Sequence, residues 1–348
     1  MKNDIPLVSI VAVCYNHENY LVETLDSILN QSYPNIELII IDDCSKDNSV
    51  KKIEDWLQTN NTDCKFIARK ENIGLCQNLN DAIKISTGVY YQSIACDDVI
   101  LHNKIEEQVN FLEKEGEDVM LVCSNFSTID DQSKIIKAAN FNEEFIFPKD
   151  VFSSLLEKYM GYNIIIHSPT VLMRKSIFDI VGLYKEDLKQ EDFYMWLLIS
   201  SKYQIKFIDQ VLVQYRELDT SLSKEFKFGN ASYYERTKVI SLFYNLKGKQ
   251  LKSISEFQVK QIKRILQHGI KTNDEESLNI GLRLYGELHH FYSSLEIDKL
   301  LYEVYQFSPR LFNDWAKKVK FKFEKSKYQL LYKTMELSIF KRTNSDTK

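Results

Sequence analysis

The sequence predicts an α/β fold, a mostly parallel sheet flanked by helices, continued by an all-helical C-terminal extension. Three observations predict it. Over residues 1–100, short and almost wholly apolar runs alternate with amphipathic ones, the pattern of strand–helix–strand units with right-handed crossovers. The strand-like runs are β-branched and apolar on both faces, as strands covered on both sides of a parallel sheet must be. From about Ala231 the strand-like runs stop, and Tyr, Phe, Leu and Lys recur at helical spacing.

The elements follow in order. Leu7–Cys14 is a buried strand that stops at Tyr15-Asn16-His17-Glu18-Asn19. A helix follows with Leu21, Leu25, Ile28 and Leu29 on one face, ending before Ser32-Tyr33-Pro34. Glu37–Ile41 is a second buried strand, closed by Asp42-Asp43-Cys44-Ser45. Ser45 and Asp47 can cap a helix that carries Val50, Ile53 and Leu57. Cys64–Ala68 reads as a third strand, and Asn72-Ile73-Gly74 leads into a helix that Gly88 ends. A strand from Val89 delivers Asp97 and Asp98, after which Leu101-His102-Asn103 open a helix running through Leu112. Val119–Phe126 is a strand, Asp130–Pro148 a loop or hairpin, and Pro169–Met173 a strand followed by a short helix to Val181-Gly182. Glu191-Asp192 open an apolar helix at the positive end of its dipole, and Ile205–Ile208 and Val211–Tyr215 are two short strands.

Composition sets outer bounds. A chain of 348 residues, 44% apolar with 10 Gly and 5 Pro, is a folded protein rich in regular structure, one large domain with an appendage or two domains. The texture change places a boundary between Ser223 and Ala231, giving a first domain of residues 1–228 and a helical region of 229–348. A net charge of -4 argues against a general nucleic-acid binder. The six cysteines form no C-x-x-C pair and read as small core residues of a reduced protein. Met1–Pro6 lacks a secretion pattern, and no window reaches the ~18 apolar residues of a membrane span, so the expected location is cytoplasmic.

The polar stretches fall at the carboxyl ends of strands one, two and four, the rim where open α/β sheets bind ligands. Asp97 and Asp98 end an aromatic, apolar run that begins at Tyr90. Adjacent carboxylates held there suit a divalent cation, and a divalent cation suits a diphosphate. Asp also caps helices, so spacing alone leaves both readings open. The first strand-to-helix turn contains no glycine, which excludes a G-x-G-x-x-G cradle, and there is no G-x-x-x-x-G-K-[ST] loop.

Several stretches together carry a family resemblance. Val8-Ser9-Ile10-Val11 with Tyr15-Asn16, then Leu25–Gln31, then Ile41-Asp42-Asp43-Cys44-Ser45-Lys46-Asp47, resemble the opening of family 2 glycosyltransferases. Asn72-Ile73-Gly74, Asp97-Asp98, Thr170–Lys175, Glu191-Asp192 and Tyr215-Arg216 with Ser221 and Ser223 resemble its later stations, in the same order. The resemblance spans residues 6–225. It implies a GT-A type fold, a Rossmann-like mixed sheet that joins a nucleotide-sugar half, about residues 1–100, to an acceptor half, about residues 101–228.

It also implies roles. Val13, Tyr15, Asp43 and Asn72 would line the nucleotide-sugar pocket, Asp98 would ligate Mn²⁺ or Mg²⁺, and Asp97 would contact ribose or the metal's water. Asp192 would be the general base for the acceptor hydroxyl, with Glu191 orienting it or touching the acceptor. One displacement inverts the anomeric centre and needs no carboxylate nucleophile. The implied activity moves a sugar from a nucleotide-sugar, UDP by family habit, to a glycan or lipid-linked acceptor in surface polysaccharide synthesis. Packing and capping compete with these roles at Tyr15, at Asp43 and at Glu191-Asp192.

The chain departs from the pattern in three places. Ala95 stands where a third acid is typical, Cys76-Gln77-Asn78 replaces Ala-Arg-Asn, and Leu218 replaces a histidine. These motivate a second reading, a nucleotide-sugar-binding protein of the same fold that no longer catalyses, which the intact Glu191-Asp192 opposes. A nucleotidyltransferase would share sheet and metal but would want a Gly-rich loop after strand one. His167 reads either as a structural residue or as one facing the acceptor.

Lys317–Arg342 holds eight Lys and one Arg against Glu324 and Glu336, with five interleaved aromatics. This is either a helix resting on anionic lipid at the inner face of the plasma membrane or a solvated basic face. Ile254, Phe257, Ile262, Ile265, Leu266, Leu278, Leu282 and Tyr285 recur at helical spacing and read as core, within the chain or of a homodimer.

Overall fold

The computed structural model describes residues 5–141, 145–158, 166–188 and 191–219, and further along residues 239, 262–272, 274–288, 301, 304–305 and 308–318. The chain divides into two compact units, Met1–Ser221 and Leu222–Lys348.

The first unit is built on one sheet. Its parallel half comprises β1 (Val8–Cys14), β2 (Ile36–Asp42), β3 (Lys65–Ala68) and β4 (Tyr90–Ala95), connected by α1 (Leu21–Leu29), α2 (Ser49–Asn60) and α3 (Leu75–Ile85). β1 lies between β2 and β4 with all seven residues buried, which is why its sequence has no polar face. Val8, Ile10, Ala12, Leu25, Ile40 and Ile94 form the centre of the core. Gly88 does not end α3, which stops at Ile85 with Ser86 as its cap; it is required by contact, since a Cβ there would lie 2.6 Å from the Ser9 amide nitrogen.

The second half follows as β5 (Val99–Ile100), α4 (Lys104–Lys114), β6 (Val119–Ile129), β7 (Ile135–Lys137), α5 (Val151–Lys158), β8 (Leu172–Arg174), α6 (Ile177–Val181), α7 (Glu191–Ser200) and β9 (Gln204–Arg216). Among the described residues the sheet order is β3-β2-β1-β4-β8-β6-β9-β5, with β7 paired to β6. β8 runs antiparallel to both β4 and β6, while β6 and β9 run parallel, so the sheet is mixed.

Three local expectations change. The two short strands at 205–208 and 211–215 are one strand, β9. Its Asp209 and Gln210 bulge out between the Ser124–Ile208 and Asn125–Val211 pairs, and Asn125 Nδ2 donates to Asp209 Oδ1 at 3.2 Å. The strand expected from Pro169 begins only at Leu172, because Ser168–Thr170 is a 3₁₀ turn that suits a proline without an N–H. At the start of α2, Ser45 is not the cap: Asp47 Oδ1 accepts from the Ser49 amide at 3.0 Å, while the Ser45 hydroxyl turns to Asp42 Oδ2 at 2.5 Å.

In the second unit, the described residues are helical: a segment over 262–272, α8 (Glu275–Leu288) and α9 (Pro309–Lys318). Ile262, Ile265, Leu266, Leu278, Leu282 and Tyr285 bury against one another and against Phe312. Ile254, Phe257, the boundary at 223–231 and the basic stretch after Lys318 lie outside the described residues. All six cysteines are free, and no described helix is long and apolar enough to cross a membrane.

Candidate functional site

The site is the rim at the carboxyl ends of β1, β2 and β4. In register, Cys14 pairs Asp42 on one side, and Val13 pairs Ala95 on the other. The flanking strand ends therefore stand two strand spacings apart, about 10 Å, across the end of β1. Val13 is buried beneath that gap, whereas Tyr15 is 43% exposed and offers its ring to a ligand.

The loops at the rim are tied to one another. Asn16 and Cys44 adopt the left-handed backbone, at φ 59° and 63°. The Asn16 amide donates to Ser45 Oγ at 2.8 Å, and Asn16 Oδ1 accepts from the Lys46 amide at 2.7 Å. Asp43 is buried, and its carboxylate grips the turn before α3. Oδ1 accepts from the Ile73 amide at 2.9 Å and Oδ2 from the Gly74 amide at 3.0 Å, while Asn72 Nδ2 donates to the Asp43 carbonyl at 3.2 Å. Gly74 permits this turn with φ 87°. Asp43 and Asn72 thus meet, and both Asp43 carboxylate oxygens already accept from backbone amides. Each oxygen keeps one accepting position for a ligand.

Asp97 and Asp98 form the turn between β4 and β5. Asp98 is 3% exposed, its Oδ1 accepts from the Arg216 amide at 2.8 Å, and its carbonyl accepts from Thr24 Oγ1 at 2.7 Å. Burial, then the Asp97 charge, push the Asp98 carboxyl well above the usual carboxylate range, and Arg216 only partly opposes them. Asp97 is half-buried, with Oδ2 3.8 Å from His17 Nε2. His17 Nδ1 is shut off from solvent and has no hydrogen-bond partner among the described residues.

The sequence marked Tyr215-Arg216 without a role for the arginine, and the structure supplies one. Arg216 is fully buried at the end of β9. It donates from Nε to the Asp97 carbonyl at 2.7 Å, from Nη1 to the Asp130 carbonyl at 2.8 Å, and from Nη2 to Glu23 Oε2 at 2.6 Å. Its guanidinium also lies 4.8 Å from the centroid of the Tyr20 ring. One side chain therefore clasps the acidic turn to α1 and to the β6–β7 hairpin. Arg216→Met should lower unfolding stability by about 1–3 kcal/mol in urea denaturation, because it leaves the half-buried Asp97 and Asp130 carbonyls without a donor, while Glu23, 41% exposed, can return to water. A loss below about 1 kcal/mol would show the clasp to be dispensable.

The base-side acids open α7. The Phe193 amide donates to Asp192 Oδ1 at 2.6 Å, and Ser168 Oγ reaches Asp192 Oδ2 at 3.4 Å. Their charges are felt by Cys76 on α3 and by Tyr184. Burial and then the Glu191, Glu186 and Asp192 carboxylates push the Cys76 thiol up to about 12. Burial, Tyr91, Glu191 and Asp192 raise Tyr184, whose hydroxyl bonds Ser93, two residues before Ala95. Glu191 and Asp192 thus share their surroundings with Cys76 on α3 and with Tyr184, and the Ser168 side chain reaches Asp192. His167 packs against Phe126 and Tyr215 at 4.5 and 4.9 Å between centroids, and burial lowers its pKa to about 4, leaving it neutral near pH 7.

A divalent cation fits this donor set in one way. Among the described residues no cluster of three or more His, Cys, Asp or Glu forms a protein-only cage. Hard cations of the Mg²⁺ class take one or two carboxylates and draw their other oxygens from substrate phosphates and water, which is what Asp98 and Asp97 can supply. The three departures show physically: Ala95 and Gln77 are exposed at the rim, and Leu218 is buried, so none brings a charge.

Comparison with known proteins gives a consistent result. The glycosyl transferase family 2 model matches residues 9–181. An uncharacterized glycosyltransferase of Rickettsia prowazekii is 33% identical over 220 residues, covering 62% of this chain and 66% of the relative. One of Rickettsia typhi is 33% identical over 219 residues, covering 62% and 65%. The chain thus spans just under two thirds of the length of these relatives. Among solved structures, S. aureus TarS 1-349 in complex with UDP-GlcNAc superposes with TM-score 0.60 at 16% identity, covering 93% of this chain and 92% of that one. The mannosyltransferase PcManGT from Pyrobaculum calidifontis, in complex with GDP-Man and Mn²⁺, superposes with TM-score 0.52 at 15% identity, covering 96% and 88%. These likenesses establish the GT-A fold, and through residues 9–181 the chain belongs to glycosyl transferase family 2.

Proposed function

We propose that this protein is an inverting, metal-dependent glycosyltransferase that moves a hexosyl group from a nucleotide-sugar to an acceptor hydroxyl. One observation carries the reading: a buried strand-end carboxylate, Asp98, is clasped by Arg216 on the same rim as the exposed Tyr15 ring and the Asp43–Gly74 loop. Tyr15 stacks on or edges against the base, and Asp43 and Asn72 hold the ribose side. Asp98 would hold Mn²⁺ or Mg²⁺, with Asp97 on the ribose or the metal's water, and the bound metal would neutralise charge on the departing diphosphate. Asp192, oriented by Ser168 and flanked by Glu191, takes the acceptor proton as the hydroxyl oxygen bonds to the anomeric carbon. The bond to the nucleoside diphosphate breaks on the opposite face, which inverts the centre.

The donor is a UDP-sugar and the acceptor a glycan or lipid-linked saccharide of surface polysaccharide synthesis. Residues 1–228 carry this chemistry, and 229–348 form a separate C-terminal region whose basic stretch, 317–342, suits an anionic lipid surface. TarS, crystallised with UDP-GlcNAc, supports the choice of base. Calorimetry with UDP, with and without Mn²⁺, tests the reading. Metal-dependent binding is expected, and affinity unchanged by removing the metal would overturn it. Thermal-shift screening of UDP-, GDP- and dTDP-sugars with Mn²⁺ then identifies base and sugar together.

A further inference from the structure

Lys104 is the first residue of α4, yet its side chain is fully buried. Its Nζ donates to Gln92 Oε1, to Gln108 Oε1 at 2.6 Å and to the Val171 carbonyl at 3.5 Å. Burial drives its pKa well below the ordinary lysine value, while three carbonyl oxygens around Nζ favour the ammonium form. A group placed there at such cost must do something that an apolar side chain would not. The two amides show what. With their oxygens turned to Lys104, Gln92 Nε2 donates to the Pro169 carbonyl at 3.2 Å and Gln108 Nε2 to the Thr170 carbonyl at 2.7 Å. A primary amide can present either end, and the Nζ donor makes the flipped orientation, which would face it with another donor, unfavourable.

The turn held in this way, Ser168–Thr170, joins the two sides of the site. Ser168 Oγ reaches Asp192, and the preceding His167 packs on Tyr215, the neighbour of the arginine that clasps Asp97 and Asp98. We propose that Lys104, Gln92 and Gln108 form a positioning platform beneath this turn, which sets where Asp192 stands relative to the donor-side carboxylates. None of the three touches substrate. The inference rests on Asp192 as base.

The test uses the full chain and two variants. Lys104→Met removes the orienting donor but keeps the stem. Gln108→Glu keeps an oxygen for Lys104 and removes the donor to Thr170, so it should fold even where Lys104→Met does not. In hydrogen exchange read by mass spectrometry, both should speed exchange of peptides covering 166–174 by about tenfold, with β1 unchanged. UDP affinity with Mn²⁺ should stay within about threefold, and UDP-sugar turnover should fall about tenfold at unchanged donor KM. Unchanged exchange at 166–174 in Gln108→Glu, or equal acceleration in β1, overturns the platform. Absence of turnover in the unaltered protein overturns the transferase reading instead, and the exchange result still decides the platform.

Discussion

Asp192→Asn should abolish sugar transfer and leave UDP binding within about twofold, a rate loss of about 10²–10⁴ at saturating donor. The substitution is close to isosteric. Asparagine Oδ1 can still accept from the Phe193 amide, and the Ser168 hydroxyl can accept from the new Nδ2 instead of donating, so the first turn of α7 should keep its shape. What disappears is a group able to take a proton from the acceptor hydroxyl in the transition state. Single-turnover transfer separates this from a binding defect. Transfer at the unaltered rate would remove Asp192 from the chemistry and leave it as a helix-terminal acid. A non-catalytic nucleotide-sugar binder predicts the same UDP affinity with no transfer before the substitution either.

The second large effect is at Asp98. Asp98→Asn should bring UDP affinity in Mn²⁺ down to its metal-free value, because a neutral amide is a poor ligand for a hard cation. Metal-free thermal stability should hold or rise. Burial and the Asp97 charge raise the Asp98 carboxyl in the folded state, so the protonated form is the one folding favours. That contribution is fully present below the carboxyl's unfolded pKa and is lost as pH rises through the raised folded value. At neutral pH the unaltered, metal-free protein has given up part of it, and asparagine is spared the loss while Oδ1 still accepts from the Arg216 amide. A steep fall in metal-free stability would show Asp98 to be structural.

Both predictions come from acids that the sequence exposed plainly. Asp97-Asp98 ends a mostly apolar, aromatic run, and Glu191-Asp192 opens an apolar one, so local pattern alone put carboxylates at element ends. Tyr15 was legible for the same reason, as an aromatic just beyond a buried strand. Lys104 was not. It sits in a helix start with Glu106 and Glu107, where a lysine normally faces water, and only the sheet packed over it makes it a core residue. His17 was passed over as one polar residue among several in a turn, and its closeness to Asp97 spans 80 positions of chain.

What the sequence determined by itself was the alternation of β1 through β4 with α1 through α3, because hydrophobic periodicity is a local property that each segment carries alone. It also determined the family and the order of its acidic stations. Only the tertiary structure decided that β8 enters antiparallel between β4 and β6, that β9 is one bulged strand, and that Asp43 grips the Gly74 turn. It alone brought Arg216 onto Asp98 across 118 positions. Those outcomes depend on which buried polar groups find partners once distant segments meet, and no window of sequence contains both members of such a pair.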